Sequence, residues 1–393
     1  MTRPSNQPAR PTRILILTSS TGGGHNMRAA ALRAWAEKEA DLNLKVVIHQ
    51  VLESTHPFYA FGVELYNFIQ RTAPILHHLY FNWLEWIPLF RSERIILNRQ
   101  GFVKLLEEEK PDIIVSTHAH VNHAFFAIAK KQTQPGRLPC VTYCGELFGG
   151  YGFSRHWVNS GADLFIGAVN EVCVEALKFG MPPEKILEGG FLLRPAFWNE
   201  PPGAPRREEF LQEEFGFDPA TFTLLISTGA QGANNHLPLL DLIARSGEKL
   251  QVIALCGKNT ALIDTIRQWE LTHPQLRVVP LPYRERMDEL LHAVSAVVAR
   301  PGTGSTSEAI LTGCPLILNG IGGIMPQEWI TVKYCRQHGI QDILHTPDDL
   351  VPILKKWIAS PETYKQQQKN MVAARPKGHP REILKKIKNL LPS

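Results

Sequence analysis

Short apolar runs alternate along this chain with longer stretches in which apolar residues recur at helical spacing. Ile14 to Leu17, Leu44 to His49, Ile113 to Ser116, Cys140 to Tyr143 and Leu164 to Ile166 form a first series of strand-like runs. Leu224 to Ser227, Gln251 to Leu255, Arg277 to Val279, Val297 to Ala299 and Pro315 to Leu318 form a second. Apolar strands separated by helices indicate parallel sheets with helices on both faces. Between the two series, residues 194–205 read Arg-Pro-Ala-Phe-Trp-Asn-Glu-Pro-Pro-Gly-Ala-Pro, a proline density that breaks helices. The pattern predicts an α/β protein of two doubly wound domains facing a cleft. Residues 1–194 form the first, 195–205 a linker, 206–360 the second and 361–393 a tail. No internal repeat is visible.

Glycine-rich turns follow several of these strands. After Ile14 to Leu17 come Gly22, Gly23, Gly24 and His25, then an Ala-rich helix. Glycines let the backbone turn tightly and leave room for a ligand. The free N–H groups and partial positive charge of the helix start lie where open α/β sheets bind ligands. No Gly-Lys-Ser/Thr closes this turn and no spaced Gly-x-Gly-x-x-Gly occurs, so neither a P-loop nor a dinucleotide fingerprint is present. The second series repeats the device. Leu224 to Ser227 runs into Gly229, Gln231 and Gly232, and Val297 to Ala299 into Gly302, Thr303, Gly304 and Ser305. Ser305 or Thr306 is expected to cap the following helix, whose N–H groups suit a diphosphate. Glu308, read as lying in the first helical turn, can accept from a ribose diol or complement the helix dipole. With Pro326-Gln327-Glu328 after the next strand, the second domain reads as a nucleotide site. No Asp-x-Asp motif occurs, so no metal is expected and helix starts and hydroxyls are left to stabilise the diphosphate.

Residues 56–90 break the alternation. They hold ten of the chain's 34 aromatic residues, Trp83 and Trp86 among them. Aromatics with His and few charges suit a membrane–water interface or the packing of a helical subdomain. The formal charge is +5, but the stretch from Lys355 onward has ten Lys/Arg against two Asp/Glu, leaving the remainder at 5 − 8 = −3. Such a tail suits an anionic leaflet, with a solvated helix face or a helix packed back on the first domain as alternatives. Ile383, Leu384, Ile387, Leu390 and Leu391 fall on one stripe of it. The six cysteines lack paired metal spacing and read as buried reduced thiols of a cytosolic protein. His118, His120 and His123 read as polar groups at a strand end, with metal ligation as the alternative. No signal peptide or 18-residue apolar span is read, which predicts a cytoplasmic protein held peripherally at the inner face of a membrane.

The combination resembles the GT-B glycosyltransferases related to monogalactosyldiacylglycerol synthase and processive diacylglycerol glucosyltransferases and, more distantly, MurG. The matching segments are Thr21 to His25, Leu65-Tyr66-Asn67-Phe68 with Ala73-Pro74, Lys110 to His118, Gly190 to Phe197, Arg300 to Gly304 with Ser307-Glu308-Ala309, and Pro326-Gln327-Glu328. The resemblance implies two Rossmann-like domains, a UDP-hexose donor and a lipid acceptor held by the N-terminal domain near Gly23 and Gly24. It implies inverting transfer and no nucleic-acid partner. By position, His25 matches the family histidine near the acceptor hydroxyl, Glu308 the ribose-binding acid, Gln327 and Glu328 the pair near the donor sugar, and Gly302 to Gly304 the diphosphate turn. Gly145-Glu146 stands where relatives read Thr-Asp, so Glu146 takes the acid's place with one more methylene. Residues 321–325 also depart from the usual pattern, which leaves the sugar open.

The expected reaction is attack of a lipid hydroxyl, diacylglycerol first among candidates, on the anomeric carbon of the donor. His25 or Glu146 accepts the proton; an ordinary histidine, near ~6.5, suits a base at neutral pH. A sugar-nucleotide 2-epimerase and a non-catalytic nucleotide-sugar or lipid-binding protein are the alternatives.

Overall fold

The computed structural model describes residues 10–72, 76–86, 91–132, 138–199, 203–227 and 235–391. Twelve parallel strands lie in two six-stranded sheets among these residues. The first holds β1 (Thr12–Thr18), β2 (Leu44–Gln50), β3 (Ile113–Ser116), β4 (Cys140–Cys144), β5 (Leu164–Gly167) and β6 (Ile186–Glu188) in the order β2-β1-β3-β4-β5-β6. The second holds β7 (Phe222–Ser227), β8 (Leu250–Leu255), β9 (Val278–Leu281), β10 (Ala296–Ala299), β11 (Leu316–Asn319) and β12 (Ile343–Leu344) in the order β12-β11-β10-β7-β8-β9. Central strands such as β3, β4 and β10 are buried along their whole length, because helices cover both faces. The edge strands β6 and β12 have only three and two residues. Runs that short carry no apolar period, so they are absent from the strands expected above.

Strand order reverses between β1 and β3 in the first sheet and between β7 and β10 in the second. A doubly wound sheet splays its connecting loops apart at such a point and opens a crevice beyond the strand ends. The turns after β1, β3 and β10 therefore border candidate sites on purely topological grounds.

The expected linker starts as packed structure. Pro195–Trp198 forms a 3₁₀ turn with Phe197 buried, and Trp35 donates to the Leu193 carbonyl at 2.8 Å. The aromatic insertion forms helices Pro57–Thr72 and His77–Trp86. Tyr59 and Val63 face inward, whereas Phe58, Phe61, Phe68, Trp83 and Trp86 are exposed, Trp86 to 83%. Ala73-Pro74, Phe90 and the side chain of Tyr80 lie outside the described residues. No described helix is long and apolar enough to cross a membrane, and all six cysteines are free and buried.

The tail ends in helix Pro380–Lys388, which packs back on the first domain. Ile383, Leu384 and Ile387 are fully buried. Arg381 pairs with Glu39 at 2.7 Å and Asp41 at 3.0 Å, and Lys388 donates to the Leu42 carbonyl at 2.9 Å. The apolar stripe is thus covered by protein, the packed-back alternative among those expected; of its lysines, Lys386 is exposed. Removing a buried side chain from this seam loses transfer free energy and leaves a cavity. Leu384→Ala is expected to destabilise the protein by ~2–5 kcal/mol, read as a lower denaturation midpoint in urea. An unchanged midpoint would mean the helix is not docked.

Candidate functional site

The first crevice is built by β1, β3 and β4. Gly22 and Gly23 adopt left-handed backbone, with φ of 63° and 82°, which a side chain would strain. Gly23 is the N-cap of helix Gly24–Lys38 and provides no side-chain cap. Asn67 of the insertion helix accepts from Gly22 N at 3.0 Å and fixes the turn. His25 follows at the second helical position. Its Nδ1 lies 2.7 Å from the Thr117 carbonyl at the end of β3. A carbonyl only accepts, so Nδ1 carries the proton and Nε2 keeps its lone pair. His118, whose ring centroid is 4.5 Å away, accepts at Nδ1 from His120 N at 3.2 Å and so donates through Nε2 to Thr21 Oγ1 at 3.0 Å.

Burial, aided by the Arg28 charge, pushes His25 down to about 3. That corrects the expectation of an ordinary histidine: His25 is neutral at neutral pH and a weak proton acceptor. Glu146, in the loop after β4, moves the other way. Burial raises it to about 7 against the opposing pull of Arg28 and a hydrogen bond from Trp157. Its Oε2 is buried without a partner. Of the two candidate bases, Glu146 has the proton affinity near neutrality and an unengaged oxygen.

Both groups lie at the polar end of a cavity of about 290 Å³. Its walls come largely from the insertion, including Phe58, Phe61, Leu65, Phe81 and Trp83. Trp86 lies outside the cavity lining, exposed on the same helix as Trp83. At the second domain's edge of this cavity is Gln327, which donates to Tyr66 Oη at 2.6 Å while its own Oε1 is buried without a partner.

A second cavity, of about 280 Å³, lies between the domains. Thr303, Gly304, Ser307 and Glu308 line it from one side, and Gly24, Arg28 and Gly145 from the other. Helix Thr303–Thr312 begins after Gly302, its N-cap, with no side-chain cap and no acid in its first turn. Neither Ser305 nor Thr306 caps it, and Glu308 sits six residues in, in the second turn. The chain enters the helix earlier than the capping argument placed it. Glu308 is therefore too deep to complement the dipole, and among the described residues no side chain caps the first-turn N–H groups. Burial raises Glu308 to about 7, opposed by Arg194. Gly302, Ser305 and Gly23 border this region without lining the cavity. Gly229, Gln231 and Gly232 lie outside the described residues.

Glu328 lines neither cavity. It pairs with Arg300 and accepts from Met325 N at 2.9 Å, closing the start of helix Pro326–Gln337. Arg300 also donates to the carbonyls of Ile321 and Gly323 at 3.0 and 2.8 Å. Together the pair clamps the 321–325 loop.

Two arrangements escaped the sequence reading. Arg28, one helical turn after His25, is 93% buried, since only 7% is exposed, and donates across the cleft to Thr303 Oγ1. The i,i+3 spacing to His25 was the available signal. Glu85, His120 and His156 bring ligand atoms within 4.8 Å of one another, a grouping able to hold a metal ion, whereas His118 and His123 stay outside it. Arg91 adds positive charge beside His156, and Arg155 pairs with Glu85, which disfavours a cation there.

Residues 25–191 match the family model described as monogalactosyldiacylglycerol (MGDG) synthase, and residues 223–319 match the glycosyltransferase family 28 C-terminal domain. The chain is 25% identical over 368 residues to monogalactosyldiacylglycerol synthase of Spinacia oleracea, covering 89% of this chain and 67% of that one. It is 24% identical to the processive diacylglycerol beta-glucosyltransferase of Bacillus subtilis, covering 91% and 90%. In fold it is similar to MurG of Acinetobacter baumannii (TM-score 0.58, 12% identity, 96% and 100% covered) and to Anabaena HepE in complex with UDP-glucose (0.56, 15%, 96% and 98%). A UDP-GlcNAc 2-epimerase from Neisseria meningitidis shares the fold equally well (0.58, 12%, 95% and 99%), so fold alone does not separate the two activities. The two matched segments on one pair of sheets do: the chain is a glycosyltransferase of GT-B fold, similar to the MGDG synthases and the processive diacylglycerol glucosyltransferases.

Proposed function

We propose that this protein transfers a hexose from a UDP-sugar to the free hydroxyl of diacylglycerol, inverting the anomeric centre to give a β-glycoside. One observation carries the reading: the two cavities share a wall made of consecutive residues. Gly24 lines the interdomain cavity and His25 the aromatic one; Gly145 lines the first and Glu146 the second. A donor in one and an acceptor in the other meet at these two peptide units. The apolar insertion suits acyl chains, and an epimerase, which uses no second substrate, has no need of such a cavity.

The chemistry follows from the side chains. Ionised Glu146 accepts the hydroxyl proton as the lipid oxygen bonds to the anomeric carbon. The bond from that carbon to the diphosphate breaks, and UDP leaves with the electron pair. His25 Nε2, neutral, accepts a hydrogen bond that orients the hydroxyl. Glu308 receives the ribose diol, and the first-turn N–H groups of helix Thr303–Thr312 face the diphosphate. No step uses a metal. Gln327, at the edge of the aromatic cavity, is assigned to meet the hexose where the two cavities adjoin, while the Arg300–Glu328 pair holds the 321–325 loop.

The acid–base assignment sets the pH dependence. Glu146 works as a carboxylate, so turnover rises with pH through about 7 and then levels. Were His25 the base, the rise would centre near 3 instead. Lipid-dependent UDP release from UDP-glucose or UDP-galactose, in mixed micelles with excess EDTA, is the assay. Glu146→Gln is expected to lower it by ~10²–10⁴-fold and to remove the rising limb, with UDP affinity retained. Near-normal turnover in Glu146→Gln would move the base elsewhere, and no release from any hexose donor would remove the reading.

The protein reaches its lipid at an anionic membrane surface, the inner face of the cell membrane by this reading. Trp83 lines the lipid cavity while 55% exposed, and Trp86 stands beside it. Amphipathic rings of this kind settle at headgroup level, and each nearby basic residue adds ~1 kcal/mol that salt screens. Sedimentation with anionic vesicles is expected, weaker with added salt and weaker again in Trp83→Ala/Trp86→Ala. Protein left in the supernatant at low salt would point to a soluble acceptor.

A further inference from the structure

We infer that Arg28 is the positive charge that holds the donor's diphosphate, reaching across the cleft from the N-terminal domain. The inference rests on the donor-side reading above and adds to it a residue that no glycine turn or matched motif singled out. Arg28 is 7% exposed yet forms no ion pair among the described residues. Taking a guanidinium out of water is costly; Glu146 lies beyond ion-pair distance and its field offsets that cost only in part, so an anionic ligand would offset it further. Its two protein acceptors are neutral, the Gly145 carbonyl at 2.8 Å and Thr303 Oγ1, and both are served by Nη2. Among the described residues, neither Nε nor Nη1 has a hydrogen-bond acceptor. A phosphate oxygen at Nη1 would make a charge-assisted hydrogen bond.

Placement fits that acceptor. Arg28 lines the interdomain cavity together with Thr303, Gly304 and Glu308. Its bond to Thr303 puts the guanidinium at the first residue of helix Thr303–Thr312, beside the uncapped N–H groups. Two sources of positive potential, one from each domain, thus converge on one end of the cavity. A diphosphate bridging them would join the domains, and the negative charge that develops on departing UDP would fall on both. The Arg28 charge supplies there what a carboxylate-bound divalent cation would, and the sequence has no Asp-x-Asp motif to hold one.

Gly145 accounts for its own identity in the same terms. A Cβ at this position would lie 1.9 Å from Arg28 Nε and 2.3 Å from Cζ. The space that a side chain would take at Gly145 is the space the guanidinium fills.

A purely structural role, as a latch between the domains, makes a different prediction from a phosphate contact. Calorimetry with UDP and with uridine separates them. Arg28→Gln is expected to weaken UDP by about ten- to a hundredfold, the range for a hydrogen bond to a charged group, and to leave uridine within about twofold. Arg28→Lys should fall between the two. Gly145→Ala changes no charge but displaces the guanidinium, and should reproduce the selective loss of UDP affinity. Retained uridine binding in each variant shows that the site is folded. Glu308→Ala, by contrast, should weaken both ligands, since both carry the ribose. Equal losses for UDP and uridine in Arg28→Gln, or no loss for either, would overturn the assignment while leaving the donor site standing. A wild-type protein that binds neither ligand would overturn both.

Discussion

Every side chain assigned to the chemistry is placed by one constraint: in a parallel sheet all strands deliver their loops to the same edge. Two such sheets face each other here, and each reverses its order at a central strand, so each opens one crevice at that edge. His25 and Thr117 come from the first reversal, between β1 and β3, and Glu146 from the loop after the neighbouring β4. Gly302 to Glu308 come from the second, after β10. The sharing of a wall between the two cavities is a consequence of topology before it is one of side-chain chemistry.

The cost of this arrangement is desolvation. The cleft removes water from carboxyls and imidazoles alike, and the shifts follow the sign that burial dictates: Glu146 and Glu308 up to about 7, His25 down to about 3. These opposed movements divide the labour. They leave a carboxylate able to take a proton near neutrality and an imidazole that stays neutral and can only orient. Arg28 opposes the shift of Glu146 and reinforces that of His25. One buried cation therefore sets the field for both halves of the site, and an incoming diphosphate would change that field at the moment the acceptor must be deprotonated.

Much of this was legible in the chain. Uninterrupted apolar runs such as Ile113 to Ser116 coincide with strands because a strand buried on both faces has no polar period to obscure it. The glycine turn before His25 carried both its geometry and its location. What stayed hidden was set by distance along the chain or by competition from tertiary structure. The Arg28–Thr303 contact spans 275 positions and has no local signature. The stripe of Ile383, Leu384 and Ile387 was visible and the first domain was one of its two possible partners, but only the tertiary contact decides between them. The start of helix Thr303–Thr312 was misplaced because Ser305 and Thr306 are good caps by type, while the backbone had already turned at Gly302. The pKa values depend on enclosure by both domains, which no single segment encodes.

Catalysis in this cleft rests on direct, inverting transfer between two adjoining cavities. The measurement that tests it most directly is the anomeric configuration of the product made from an α-linked UDP-hexose and diacylglycerol, read by the proton coupling at the anomeric carbon in NMR. A β-glycosyl diacylglycerol formed in step with UDP release is the predicted result. An α-glycoside, or UDP-sugar epimerised or hydrolysed with no glycolipid formed, would contradict it.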